Sequence, residues 1–181
     1  MNWGKKVLIL AFFLIYLSAC QSREHHSGWK AEVQRIVSGQ TLEVIIPEQN
    51  NLRQQVRLIG ISAPDLQQSP WGEAAQKRLK ELITQSQTKR SLSSSVVLET
   101  EVSQVDRCGR LWAHVWHNGT LVNEQLVKEG YVLADLDYPH KYTQKLEYAQ
   151  EYARLMGYGI WNPEQPMRLT PAQFRSQSTQ E

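Results

Sequence analysis

The 181-residue chain has only two cysteines, Cys20 and Cys108, which excludes a disulfide framework. It also lacks a charge excess. Lys5 and Lys6 precede Cys20, and from Cys20 onward 18 basic residues face 18 acidic ones. Proteins that hold long polyanions through their overall field carry a clear basic surplus. Any contact with a polyanion here must therefore be local, through a few side chains. Long hydrophobic runs are absent too. The longest, Val7 to Leu17, has eleven residues, short of the ~20 that span a bilayer as a helix. There are no internal repeats, and the length suits one domain.

The start of the chain has the form of a secretory leader, with Lys5 and Lys6 ahead of that apolar run. The run ends Leu17-Ser18-Ala19-Cys20, which resembles a bacterial lipobox. The expectation is a signal peptide over 1–19, cleavage before Cys20, lipidation of Cys20 and a polar tether over 20–28. That makes the mature protein an envelope lipoprotein, membrane-anchored through Cys20. Cys108 is then left without a partner, either as a small buried hydrophobe or as a free thiol.

Apolar periodicity and turn residues predict five strands: Trp29 to Val37, Thr41 to Ile46, about Arg53 to Ile61, Ser95 to Val102 and Leu111 to His117. In the first, Trp29, Ala31, Val33 and Val37 share one parity. Ser69-Pro70 reads as a helix start, and that helix runs to about Gln85 with Ala75, Leu79, Leu82 and Ile83 on one face. Further helices are expected from Val122 to Glu129, closed by Gly130, and from Tyr142 to Met156, stopped by Gly157. Ser86 to Ser94 reads as a linker and 166–181 as a polar tail, frayed from Ser176. Five short strands with a helix between the third and fourth give the order of an OB-fold. The predicted class is α+β: a five-stranded OB-fold-like β-barrel with three helices.

Two segments carry chemistry. Val56 to Asp65 reads V-R-L-I-G-I-S-A-P-D, and Asp106 to Arg110 reads D-R-C-G-R. Each sets an arginine beside a sharp turn, and the first adds a carboxylate eight residues after its arginine. In-line attack on a phosphodiester needs a base for the water proton and cations for the charge that grows on the phosphoryl oxygens. Gly72 with Ala74, Val122-Asn123 and Gly159-Ile160-Trp161 complete a pattern that resembles the thermonuclease (staphylococcal nuclease-like) family over about Trp29 to Trp161. A domain over 29–165 is expected.

The resemblance implies Arg57 and Arg110 as catalytic cations and Asp65 as the general base, with Arg107 adding positive charge for substrate. It implies nucleic acid as the partner and Ca2+ as the metal. The metal positions, however, are Gln40, Ser62 and the Ala63 carbonyl, where the family has two aspartates and a carbonyl. Glu43 is expected on the opposite face of its strand from Gln40. The base is an aspartate where the family usually has glutamate, and Cys108 replaces a base-stacking tyrosine. Two functions follow as expectations. One is an envelope-anchored nuclease acting on DNA or RNA with weakened or altered metal dependence. The other is a catalytically degenerate module that binds nucleic acid, an anion or a protein partner.

Among the histidines only His25-His26 shows metal-ligand spacing, and a solvated pair is the expected reading there. Trp112, His114 and Trp116 share one side of their strand and are expected to pack between barrel and helices rather than to form a stacking platform. Lys77, Arg78, Lys80 and Glu81 read as the wet face of the first helix.

Overall fold

A computed structural model describes residues 28–84, 94–106 and 108–178, without the side chains of 102–104. The leader, Cys20, nearly all of the tether and linker, and Arg107 lie outside the described residues.

Strands β1 (Trp29–Ser38), β2 (Thr41–Ile46) and β3 (Leu52–Leu58) form an antiparallel meander. β5 (Ser94–Val105) pairs with the other edge of β1, and β6 (Leu111–His117) pairs with β5. β6 then meets β3 in parallel, setting Val56, Arg57 and Leu58 against Leu111, Trp112 and Ala113. That pairing closes a five-stranded barrel and leaves no long free edge. Alternating β-branched and leucine side chains fill it, among them Leu42, Val44, Val56, Leu58, Leu98 and Val115, all buried.

Two details differ from the sequence reading. β1 carries register shifts between Val33 and Arg35 and between Ile36 and Ser38. An extra residue at a bulge reverses the side-chain alternation, so Ile36 joins Val33 against the core, where an unbroken strand would have placed Val37. The third strand ends at Leu58, not at Ile61. Gly60, at φ +71°, turns the chain, and β4 (Ile61–Ser62) pairs separately with β8 (Leu133–Ala134). A further short strand, β7 (Thr120–Leu121), extends β6 through the Asn118-Gly119 turn.

Among the described residues there are four α-helices where three were expected: α1 (Trp71–Thr84), α2 (Val122–Lys128), α3 (Thr143–Met156) and α4 (Pro171–Ser178). α1 begins one residue after Pro70, whose bond to Ser69 is cis. It buries Ala75, Leu79 and Ile83 as its period requires. Arg78 is not on a wet face. Its guanidinium makes a two-pronged contact with Glu129, Nε to Oε2 at 2.5 Å and Nη2 to Oε1 at 2.8 Å, and a third bond to Glu81 at 3.0 Å. It thus ties α1 to the end of α2. α4 lies in the segment read as a polar tail. Thr170 Oγ1 accepts the Gln173 N–H, and Gln173 Oε1 accepts the Thr170 N–H, a reciprocal cap that starts the helix.

Asn123 at the head of α2 is fully buried. Its Oδ1 accepts the Val115 N–H at 2.9 Å and its Nδ2 donates to the Ile59 carbonyl at 2.8 Å. One amide thereby joins the helix to β6 and to the turn after β3, satisfying two buried backbone groups that the ladders leave open.

Candidate functional site

Arg57 sits on β3 where the barrel closes. Its two Nη groups donate to the carbonyls of Leu58 at 2.6 Å and Ile61 at 2.7 Å. These bonds hold the guanidinium against the turn into β4 and fix its plane. No carboxylate pairs with it among the described residues. Burial, and next the charge of Arg110, pull its pKa down to about 10, so it remains a cation at neutral pH. The parallel register, with Val56 against Leu111 and Arg57 against Trp112, sets Arg110 on the same face as Arg57.

Arg110 is held from the other side. Asp106 accepts the backbone N–H groups of Cys108 at 2.8 Å and Arg110 at 2.9 Å through Oδ1, and the Arg110 Nε–H at 2.7 Å through Oδ2. This is why an aspartate heads the D-R-x-G-R turn: its short carboxylate organises the backbone and the arginine together. Burial pushes the Asp106 carboxyl up, but the bonds from Arg110 and Cys108 outweigh it and hold the group below the usual range.

Asp65 lies in the loop between β4 and α1. Its Oδ1 accepts the Gln67 N–H at 3.0 Å, and its carbonyl accepts the Gln68 N–H at 2.9 Å. Gly72 explains why α1 approaches so closely: a Cβ there would stand 1.9 Å from the Asp65 carbonyl oxygen. No hydrogen bond or ion pair joins Asp65 to either arginine among the described residues. The arginines are brought together; the carboxylate is set on its own loop.

The metal positions are brought together as well, in a particular way. Gln40 Oε1 accepts the Ala63 N–H at 2.6 Å, the Gln40 carbonyl accepts the Leu58 N–H, and Ala63 is buried. The amide oxygen that stands at a ligand position already accepts a protein N–H and carries no formal charge. The donors at these positions, the Gln40 amide, the Ser62 hydroxyl and the Ala63 carbonyl, are all neutral. Calcium is held by several oxygens with carboxylates among them, and this donor set does not fit it. Glu43 supplies no repair, since its carboxylate is paired with Arg35 at 2.5 Å.

Cys108 is exposed and free, so the buried alternative is excluded. Trp112, His114 and Trp116 do pack against the segment entering α3: Tyr138 lies edge-on to Trp112 at 6.4 Å, and Tyr142 edge-on to His114 at 4.7 Å and to Trp116 at 5.7 Å. Between that segment and Arg57 lies a cavity of about 520 Å³, lined by Arg57, Gly60, Trp112, Asp135, Tyr138 and His140 among others.

Two charged residues at this site were not found from sequence. Asp135 and Arg175 both act on Arg57, one stabilising its charge and the other opposing it. Arg175 comes from α4, which docks through Gln68 Nε2 to the Leu169 carbonyl at 2.7 Å. The T-P-A-Q capping signature at 170–173 was the available signal for that helix. No local pattern marks Asp135.

The class of protein is defined by this barrel with paired arginines beside the closing strands, and sequence comparison agrees. The family model for staphylococcal nuclease homologues matches residues 55–163. A thermonuclease of Staphylococcus hyicus is 30% identical over 153 residues, covering 81% of this chain and 83% of that protein. An uncharacterized endonuclease of Haemophilus influenzae is 30% identical over 178 residues, covering 96% of this chain and 87% of its own length. The chain belongs to the staphylococcal nuclease family, and its homology supports a nuclease-like function.

Proposed function

We propose that this protein is an envelope-anchored phosphodiesterase of the nuclease family that acts on DNA or RNA, with Arg57 and Arg110 as its electrophiles and Asp65 as its base. The observation that carries this reading is the β3–β6 register, which sets Arg57 against Trp112 and so places Arg110, two residues earlier, on the same face of the barrel's closing seam. Two guanidiniums on one face, one fixed by the Leu58 and Ile61 carbonyls and the other by Asp106, can flank a phosphoryl group and stabilise the anionic charge that develops on it. Asp65, oriented by its turn with Gln67, accepts the water proton. Metal dependence is weakened or altered, because the calcium position offers neutral oxygens, one already bonded to Ala63. Lipidated Cys20 holds the domain at the membrane surface.

A second reading has one observation in its favour. The Gln40–Ala63 bond closes the metal position, as expected of a module that binds a nucleic acid, an anion or a protein partner without turning it over. Hydrolysis of labelled single-stranded DNA and RNA by the soluble domain, beside Arg57→Ala and Asp65→Asn, separates the two. Turnover that both substitutions remove supports the enzyme. Binding without turnover by the unsubstituted domain supports the module.

A further inference from the structure

The histidines that showed no metal spacing in the sequence are brought together by the fold. We propose that Glu101, His114 and His140 form a binding site for a transition-metal dication of the zinc type, separate from the calcium position and opening on the cavity beside Arg57. Glu101 comes from β5, His114 from β6 and His140 from the segment before α3. One ligand atom from each lies within 4.8 Å of the other two. Two imidazoles and one carboxylate are a donor set suited to zinc and its neighbours and poorly suited to calcium, which prefers oxygen alone.

The site has the marks of one that is built. His114 is fully buried, and its Nε2 lies 3.1 Å from Glu101 Oε1. With metal–ligand bonds of about 2.0–2.2 Å, ligand atoms sit roughly 3.3 Å apart in a tetrahedral shell, so this pair already has the required spacing. With every ligand atom within 4.8 Å of the others, His140 has to close by about 1.5 Å at most. His140 Nε2 is buried without a hydrogen-bond partner, which is unusual for a buried polar nitrogen. Supporting contacts hold each ligand. The Lys141 N–H donates to Glu101 Oε1 at 2.7 Å, the Tyr142 ring packs edge-on against His114, and His140 lies against Gly60, where a Cβ would come within 2.1 Å of its Nε2. Such second contacts are what orient metal ligands. An ion there takes the place of the His114 Nε2···Glu101 Oε1 hydrogen bond, and, where His140 ligates through Nδ1, of the long bond from the Tyr142 N–H at 3.2 Å as well.

Glu101 and His140 both line the cavity shared with Arg57 and Asp135. An ion held by three protein ligands therefore keeps an open position toward that cavity, as catalytic zinc sites do and closed structural sites do not. The inference stands apart from the proposed hydrolysis and is tested without it.

The full chain, stripped with chelator, is titrated with Zn2+ by calorimetry and with Co2+ by visible absorption, which intensifies on tetrahedral binding. The expected result is about one equivalent bound, a tetrahedral cobalt spectrum and a rise in Tm with Zn2+. His140→Ala and Glu101→Gln, both partly exposed positions that leave the barrel core intact, should each weaken binding at least tenfold. The buried His114→Ala is read only alongside them. Failure of the stripped protein to take up either metal overturns the proposal. So does uptake that survives both His140→Ala and Glu101→Gln, which assigns the ion to His25-His26 or Cys108.

Discussion

The side-chain oxygen of Gln40 and the backbone N–H of Ala63 are joined by a 2.6 Å hydrogen bond across the position where relatives of this fold are expected to hold calcium. A glutamine reaches that N–H and remains neutral; an aspartate is shorter and keeps its charge for a cation. Replacing both neutral positions, Gln40→Asp with Ser62→Asp, should introduce calcium binding. Calorimetry should show an affinity at least tenfold above that of the unsubstituted protein, since charge count governs such sites. Equal, weak heats in both proteins would sink this account of the site.

Arg57 and Arg110 are expected to act as a pair. Arg57→Ala and Arg110→Ala should each lower any phosphodiester hydrolysis by about 10²–10³-fold, the scale of losing one transition-state donor. Each should also weaken binding of inorganic phosphate or a nucleoside bisphosphate. Arg57→Lys should not restore the rate, because an ammonium cannot hold the Leu58 and Ile61 carbonyls and present further donors in one plane. Single-turnover rates and phosphate titration check both statements.

Stability toward acid should depend on Glu129. Burial pushes its carboxyl up, but the bonds from Arg78 and Gln125 outweigh that and hold it below its ordinary value of 4.5. Its folded pKa is thus lower than its unfolded one. The stabilisation is fully present above the unfolded value and is lost as pH falls through the folded value. Denaturant melts from about pH 6 to about pH 3 should show the native protein losing more stability than Glu129→Gln over that window. At neutral pH the substitution should be destabilising by ~1 kcal/mol, the scale of a well-formed, partly exposed pair.

The two cysteines should behave differently. Cys108 is exposed and unpaired, so a native thiol count on the mature protein should give one reactive group, abolished by Cys108→Ser. Cys20 is expected to carry lipid. The wild type should then fractionate with membranes and Cys20→Ala should not, because stable anchoring takes more than one acyl chain. Wild type recovered wholly in the soluble fraction would contradict the anchor.

Much of the barrel was legible because its signals are local. Alternation in Thr41–Ile46 and Leu111–His117 and the apolar face of Ala75, Leu79 and Ile83 are set by side chains adjacent on one element. The elements missed were those decided at a distance. The β1 bulges depend on register with β2, and the β4–β8 pair joins Ile61 to Ala134. α4 is a different case, since its capping residues Thr170 and Gln173 were readable. The site divided the same way. Arg57, Asp65 and Arg110 stand in contiguous motifs with recognisable spacing. His114 and His140 come together with Glu101 only when β5, β6 and the approach to α3 pack, and Arg175 acts on Arg57 from a helix whose approach is tied down by the bond from Gln68 to Leu169.

The most direct measurement is the rate of single-stranded DNA hydrolysis by the soluble domain in calcium divided by the rate in chelator, taken in parallel on the Gln40→Asp/Ser62→Asp protein. The account predicts slow turnover with a ratio near one for the native residues, and a ratio of at least about ten once both aspartates are present, in line with a charge-dependent calcium site. Strong calcium stimulation of the unsubstituted protein, unchanged by the two aspartates, would contradict it.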